Sequence, residues 1–363
     1  MNRKVLHWSY RDFRQMPEEL RACCDQVEEV YLKENFIPSI PVWFCEEMTG
    51  LKFVCLAGNM IVNVPEQISL LKHLESLNLS QNLIEVLPKS IGKLRNMHSL
   101  KLSENKLTRL PKEIGALENL EILELSKNRF SELPVELANC RNLKELIMDD
   151  NYLLCRIPTK LFLMPQMTFI SAERCNLVLL PFVVNTSTLE HVRVFNNYTL
   201  THYPIALERF MQPSYESFTA VEPKRIPKSC YYQRISCDAI AHNLIFPIEL
   251  TTILDRRKYT HGPSSLVELC MRRFNGTAIV RAAWLDSWLP DGLSRRLHNG
   301  PVGICGSIPC SKEIFGECFL GLVRRRKQSR LVVLSVLFCS KLCADLWFQY
   351  NCDVYEELNW VLI

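Results

Sequence analysis

The chain has 363 residues, a formal net charge of +4, 48% apolar residues and 16 cysteines. That length leaves room for two or three structural units, and that charge is too mild to call for a nucleic-acid partner. The longest apolar run, residues 331–339, is too short to cross a bilayer, and MNRKVLHWSYRDFRQMPEEL lacks an apolar signal core. A cytosolic or nuclear protein is expected, not a secreted one, with its cysteines serving mostly as buried thiols or metal ligands rather than disulfides.

From the N-terminus onward, proline marks a fixed interval. Pro17, Pro41, Pro65, Pro88, Pro111, Pro134, Pro158, Pro181 and Pro204 follow one another at 23 or 24 residues. Residues 97–111 (MHSLKLSENKLTRLP) and 120–134 (LEILELSKNRFSELP) show the shared frame, L-x-x-L-x-L-x-x-N-x-L-x-x-L-P. Its Asn is Asn35, Asn59, Asn82, Asn105, Asn128, Asn151 and Asn197, with Cys175 in its place in the seventh repeat. Eight repeats cover residues 27–209, and residues 5–17 are a degenerate ninth inside an N-terminal cap, 1–26. The L-x-L centre predicts a short strand whose alternate residues face in and out. The Asn is placed to satisfy backbone groups where the chain leaves the strand, and the Pro falls where a missing N–H costs little. This is the leucine-rich-repeat frame, and stacking such units predicts a solenoid with a parallel sheet on its concave face.

The outward strand positions are free of that framework. Their central column reads Tyr31, Cys55, Asn78, Lys101, Glu124, Ile147, Ser171, Arg193. Small hydroxyls (Ser80, Ser103, Ser126) stand beside it in the middle repeats. The later ones carry Ile147, Asp149, Asp150, Phe169, Glu173, Arg174, Arg193 and Phe195. Of these, Ile147, Asp149, Phe169, Arg193 and Phe195 are the candidate substrate-binding group, because mixed aromatic and charged side chains suit a protein interface. An ordinary solvated sheet is the alternative.

Residues 210–229 are rich in Pro, Ser and charge and read as a linker or solenoid cap, leaving 230–363 as a separate module without a period. Within it, SLVELCMRRF from Ser265 has the spacing of an amphipathic helix, with Leu266, Leu269, Cys270 and Phe274 on one face. LPDGLSRRL follows at 289–297. Cys305 and Cys310 form one close pair and Cys339 and Cys343 another, the arrangement of a structural four-thiolate zinc site, or else four buried thiols. Residues 324–327 (RRRK) read as a solvated hairpin tip before a strand at 331–338; a basic patch for nuclear import or nucleic acid is the sharper alternative.

The S-L-x-x-x-C-x-x-x-F helix resembles the Elongin-binding box of SOCS boxes, and L-P-x-x-L-x-x-x-L resembles the cullin box that follows it. With the repeats before them and the Cys pairs after, the order resembles leucine-rich-repeat substrate receptors of Elongin B/C–cullin ubiquitin ligases. That resemblance implies Elongin contacts at Leu266, Cys270 and Phe274, and cullin contacts at Leu289, Pro290 and Leu293. It implies paired ligands at Cys305, Cys310, Cys339 and Cys343. Asp291 and Gly292 depart from the cullin-5 form L-P-Φ-P, so cullin-2 is favoured. The fold expected is α/β: a repeat solenoid followed by a small helical and Cys-rich, zinc-ribbon-like module. The function expected is a non-catalytic substrate adaptor. The chain has no H-E-x-x-H, phosphate-binding Gly loop or nucleophile elbow. A repeat scaffold without a ligase link, of the signalling or phosphatase kind, is the rival.

Overall fold

The computed structural model describes residues 4–185, 187–200, 202–210, 301–307, 310, 312–315, 317–326 and 333–362, with short stretches at 232–237, 244–247, 252–254, 257 and 268. Two compact units divide the chain: residues 1–154, 164–175 and 185–196 in the first, and 155–163, 176–184 and 197–363 in the second.

The first unit is built on nine parallel strands hydrogen-bonded in chain order. They are β1 (Lys4–His7), β2 (Val27–Tyr31), β3 (Phe53–Cys55), β4 (Ser76–Asn78), β5 (Ser99–Lys101), β6 (Ile122–Glu124), β7 (Glu145–Ile147), β8 (Phe169–Ser171) and β9 (His191–Arg193). The register aligns Tyr31, Cys55, Asn78, Lys101, Glu124, Ile147, Ser171 and Arg193 in one row. His7 of β1 joins that row opposite Tyr31, so the degenerate N-terminal repeat is a full member of the sheet. Between the outward positions, Val30, Val54, Leu77, Leu100, Leu123, Leu146 and Ile170 are buried.

After each strand the chain turns at the Asn. Asn82 Oδ1 accepts the Ile61 N–H at 2.9 Å, while its Nδ2 donates to the Leu56 and Leu79 carbonyls. Asn59, Asn105, Asn128 and Asn151 repeat this pattern one rung at a time. Cys175 keeps half of it: its thiol lies 3.3 Å from the Met148 carbonyl, and burial pushes its pKa up to about 12, so it remains a donor. The residue just before the Asn position of the frame adopts positive φ in repeat after repeat, at Tyr10 in the first (before Arg11) and then Glu34, Gly58, Gln81, Glu104, Lys127, Asp150, Arg174 (before Cys175) and Asn196. That conformation aims its N–H at the next repeat, as in Gln81 N to Ser103 O at 2.8 Å and Glu104 N to Ser126 O at 2.8 Å.

Each return leg begins at the proline. Pro65, Pro88, Pro111 and Pro134 sit at the N-caps of short 3-10 turns, with φ between −66° and −71°. Their carbonyls accept the first turn bond, so the missing N–H removes nothing. Pro41 caps a slightly longer element, α1 (Val42–Glu47). Two of the turns hold glycines at equivalent positions, Gly92 and Gly115. A β-carbon on either would collide with the backbone carbonyl of the following repeat, at Glu113 and Glu136. Because backbone rather than a flexible side chain stands in the way, Gly115→Ala is expected to destabilise the first unit by about 1–3 kcal/mol in chemical denaturation.

The second unit is sheet-rich. Its strands are β10 (Tyr203–Pro204), β11 (Tyr232–Cys237), β12 (Leu244–Pro247), β13 (Thr252–Leu254), β14 (Gly303–Ile304), β15 (Glu313–Ile314), β16 (Glu317–Arg325), β17 (Leu334–Phe338), β18 (Tyr355–Glu357) and β19 (Trp360–Leu362), with helix α2 (Lys341–Asn351) between β17 and β18. The main sheet runs β10-β17-β16-β13, with β18 also on β16; β12-β11-β19 forms a second sheet and β14-β15 a hairpin. Phe182, Cys237, Leu244, Ile253, Ile314, Cys318, Leu320, Leu322, Val333, Leu337, Leu358 and Trp360 form its core. His202 is buried there with Nδ1 2.7 Å from Ser335 Oγ.

The basic run 324–327 does not stand as a free tip where it is described. Arg324 pairs with Glu356 at 2.8 Å, Arg325 with Glu208 at 2.6 Å, and Arg326 donates to the Cys352 carbonyl at 2.7 Å. Thirteen described cysteines stand outside disulfides, in keeping with an expectation of mostly thiols, and Cys155 is disulfide-bonded.

Candidate functional site

The four cysteines of the two sequence pairs come together in the second unit. The Sγ atoms of Cys305, Cys310, Cys339 and Cys343 all lie within 4.8 Å of one another. Cys310 and Cys339 are 3.3 Å apart and Cys339 and Cys343 are 3.8 Å apart. A tetrahedron with zinc–sulfur bonds near 2.3 Å has sulfur–sulfur edges of about 3.8 Å, so the donor set fits the ion in type, number and spacing.

Two kinds of local structure deliver these thiols. Cys305 follows β14 directly and Cys310 lies in the turn before β15. The Cys305 N–H bonds to the Lys312 carbonyl, and the Cys310 N–H to Ser307. Gly306 lies so close to β17 that a β-carbon would strike the Val336 side chain, which seats the knuckle on the sheet. The second pair brackets the start of α2. Ser340 is the N-cap, its hydroxyl accepting from the Cys343 N–H at 3.3 Å, with Cys339 just before it. The second pair thus sits on a helix N-terminus, where the helix dipole favours thiolate. The Cys339 N–H points at Cys305 Sγ, 3.5 Å away. The hydrogen bond with Cys305 and then burial push the Cys339 thiol up, and burial pushes Cys343 up. Crowded thiols resist ionisation until a cation joins them.

On the first unit, the outward sheet positions make a second candidate surface. Arg193 stacks over the Phe169 ring at 5.3 Å, and His191 meets the same ring edge-on at 6.3 Å. Ile147 and Phe169 are half-buried and Arg193 is exposed. Asp149 is held in place, accepting from Ser171 Oγ and the Glu173 N–H, both at 2.7 Å. Arg174 chelates Asp150 through Nε at 2.7 Å and its Nη2 at 2.8 Å. That bidentate bond holds the Asp150 carboxyl below the usual carboxylate range and raises Arg174. Phe195 is half-buried, and its carbonyl accepts from the Arg174 N–H at 2.9 Å. Toward the middle repeats the face changes to paired charge, with Lys101–Glu124 at 2.6 Å and Lys127–Glu104 at 3.0 Å.

Leu266, Cys270, Phe274, Leu289, Pro290 and Leu293 lie outside the described residues. Between the first two, Glu268 is described: it is helical, buried, and its Oε1 accepts the Phe315 N–H at 2.9 Å. Hydrophobic spacing alone did not single out this glutamate.

Comparison with known proteins bears on the repeats. Residues 95–153 match one leucine-rich-repeat family model and residues 73–94 another. No curated protein matches the chain. A leucine-rich-repeat protein of Leptospira interrogans is similar at 24% identity, over 54% of this chain and 61% of its own, with a TM-score of 0.38. A chain of the Drosophila Toll–Spatzle complex is similar at 21% identity, over 53% of this chain and 26% of its own, with a TM-score of 0.48. Internalin C2 of Listeria monocytogenes is similar at 24% identity, over 47% of this chain and 71% of its own, with a TM-score of 0.41. Residues 73–153 are leucine-rich repeats, and the nine-stranded parallel sheet they help to build is that of a leucine-rich-repeat solenoid.

Proposed function

We propose that the chain is a non-catalytic substrate adaptor. The open sheet face holds a protein partner, and the C-terminal module docks it onto an Elongin B/C–cullin ligase, cullin-2 in preference to cullin-5. The observation that carries the protein-binding part is the face itself. Strands β7, β8 and β9 present Ile147, Phe169 and Arg193 on positions that the Leu and Asn framework does not need, and Phe195 follows β9 two residues after Arg193. An arginine stacked on an aromatic ring, beside apolar and charged neighbours, is a familiar composition for the centre of a protein interface. Ligase chemistry then comes from the assembly, and the adaptor contributes proximity.

The docking part rests on the resemblance of residues 265–297, with support from Glu268. In the helix expected through 265–274, Leu266 and Cys270 stand two residues either side of Glu268, about 160° around the axis from it. A helix anchored through a buried Glu268 would turn those two positions outward. The four-cysteine cluster would hold a structural zinc ion beneath α2, fixing the module rather than performing chemistry.

The test is capture of the full chain by purified Elongin B/C, beside Leu266→Ala/Cys270→Ala. Binding that the double substitution abolishes supports the adaptor. A folded, metal-loaded chain that does not bind reduces the function to a repeat scaffold. A photo-crosslinking residue at position 195, compared with one at exposed position 118, tests the sheet face separately; partner yield is expected at 195 alone.

A further inference from the structure

The four sulfurs of the cysteine cluster are not equally protected. Cys305 is 5% exposed, whereas Cys310, Cys339 and Cys343 are half-buried, so a small oxidant reaches three of the four. Of these, Cys310 and Cys339 lie 3.3 Å apart, inside the edge of about 3.8 Å that a zinc tetrahedron requires. Cys339 and Cys343 are 3.8 Å apart.

The two pairs differ in what a covalent bond would tie. Cys339 and Cys343 are four residues apart at the start of α2, so a bond there would join one turn of chain to itself. Cys310 and Cys339 are 29 residues apart. One lies in the turn between β14 and β15, the other at the end of β17, just before α2. A bond between them would close a long loop and hold the hairpin against the sheet. The Gly306 N–H already bonds there to the Leu337 carbonyl at 2.8 Å. A metal ion on the four thiols would make the same join.

We propose, resting on the structural-metal reading above, that the cluster is a redox exchange site. Peroxide couples Cys310 to Cys339, and the disulfide replaces the metal as the link between hairpin and helix. One thiolate of the pair attacks a peroxide oxygen, breaking the O–O bond to give a sulfenic acid and hydroxide. The second thiolate attacks that sulfur, forming the S–S bond and expelling a second hydroxide. Two solvent protons complete two waters, and peroxide takes the two electrons that the sulfurs give up. Cys305 and Cys343 remain, too few to close a tetrahedral site. The oxidised module loses its ion yet keeps its fold, and reduction restores four donors.

Zinc-loaded full chain, treated with hydrogen peroxide beside a metal indicator, tests this. Zinc release is expected at least about tenfold faster than without peroxide, with alkylation and peptide mapping finding Cys310 joined to Cys339. Thermal melts separate the states. The second unit should keep its transition after peroxide and lose it after chelation under reductant. Cys343→Ser, which lacks a donor but keeps the pair, should recover that transition on oxidation, and Cys310→Ser should not. A chain that binds zinc and holds it through peroxide overturns the exchange while leaving the metal reading intact. A crosslink between other cysteines, or an oxidised chain that melts like the chelated one, overturns it too. A chain that never binds zinc removes both.

Discussion

A Cys339→Ser chain is expected to lose a bound zinc ion and, with it, the cooperative unfolding of the second unit. Cys339 is the hub of the cluster: its sulfur is 3.3 Å from that of Cys310 and 3.8 Å from that of Cys343, and its N–H faces Cys305. Removing it leaves three thiols crowded together with no fourth donor to close a tetrahedron. In small domains the free energy of metal binding is folding free energy, worth about 10–16 kcal/mol in isolated zinc-finger peptides. Here the sheet core stands beside it, so a smaller loss is expected, above about 4 kcal/mol, the range reserved for named catastrophes such as a lost metal. Elemental analysis should find one zinc per wild-type chain and none in the variant. Thermal melts should show the second unit falling and the repeat unit unchanged, and chelation of the wild type should mimic the substitution. Cys352→Ser, an exposed thiol outside the cluster, is the matched control. A zinc-free wild-type chain, or one whose melt ignores chelation, would remove the metal from the account.

Asn128→Ala should be among the most damaging single changes in the repeats that touch no apolar residue. The side chain accepts from the Leu107 N–H at 3.0 Å and donates to the Leu102, Leu125 and Ser126 carbonyls at 2.9, 3.0 and 3.2 Å. Asn128 is buried, so water cannot replace what alanine removes. One backbone donor and two deeply buried acceptors are orphaned at about 1–3 kcal/mol each, giving a loss of about 3 kcal/mol at the low end and up to about 9 kcal/mol. Urea denaturation of the wild type and the variant measures it. Asn128→Asp is the informative companion: it keeps the acceptor, loses the donors, and should fall between the two. A loss below about 1 kcal/mol would mean that the ladder is decoration on a core that holds without it.

What could be read before the structure was whatever is spelled by a periodic constraint. The strands, their outward row and the Asn rungs each repeat at 22 to 24 residues because each serves the same geometry in each turn. Even Cys175 was legible as a rung, since its neighbours fixed its place. The cysteine quartet was legible from pair spacing, but the helix N-terminus under Cys339 and Cys343 was not. Its signal, Ser340 three residues before Cys343, is a cap that no apolar run follows cleanly, because exposed Leu342, Leu346 and Tyr350 blur the helical period. Also hidden was the positive-φ residue beside the rungs. Among those positions glycine stands only at Gly58, and the others are Tyr, Glu, Gln, Lys, Asp, Arg and Asn, so composition gave no cue.

That left-handed column sets a local balance between turn strain and surface charge. An ordinary side chain held at positive φ costs on the order of 1 kcal/mol relative to glycine. Glycine would relax each turn at Glu104, Lys127, Asp150 and Arg174, yet the chain keeps side chains there that form ion pairs along the rim of the open face. Each such turn therefore carries a small strain alongside a charged edge. Glycine in this column would relieve that strain at the cost of a more flexible unfolded chain, and would remove the rim's ion pairs.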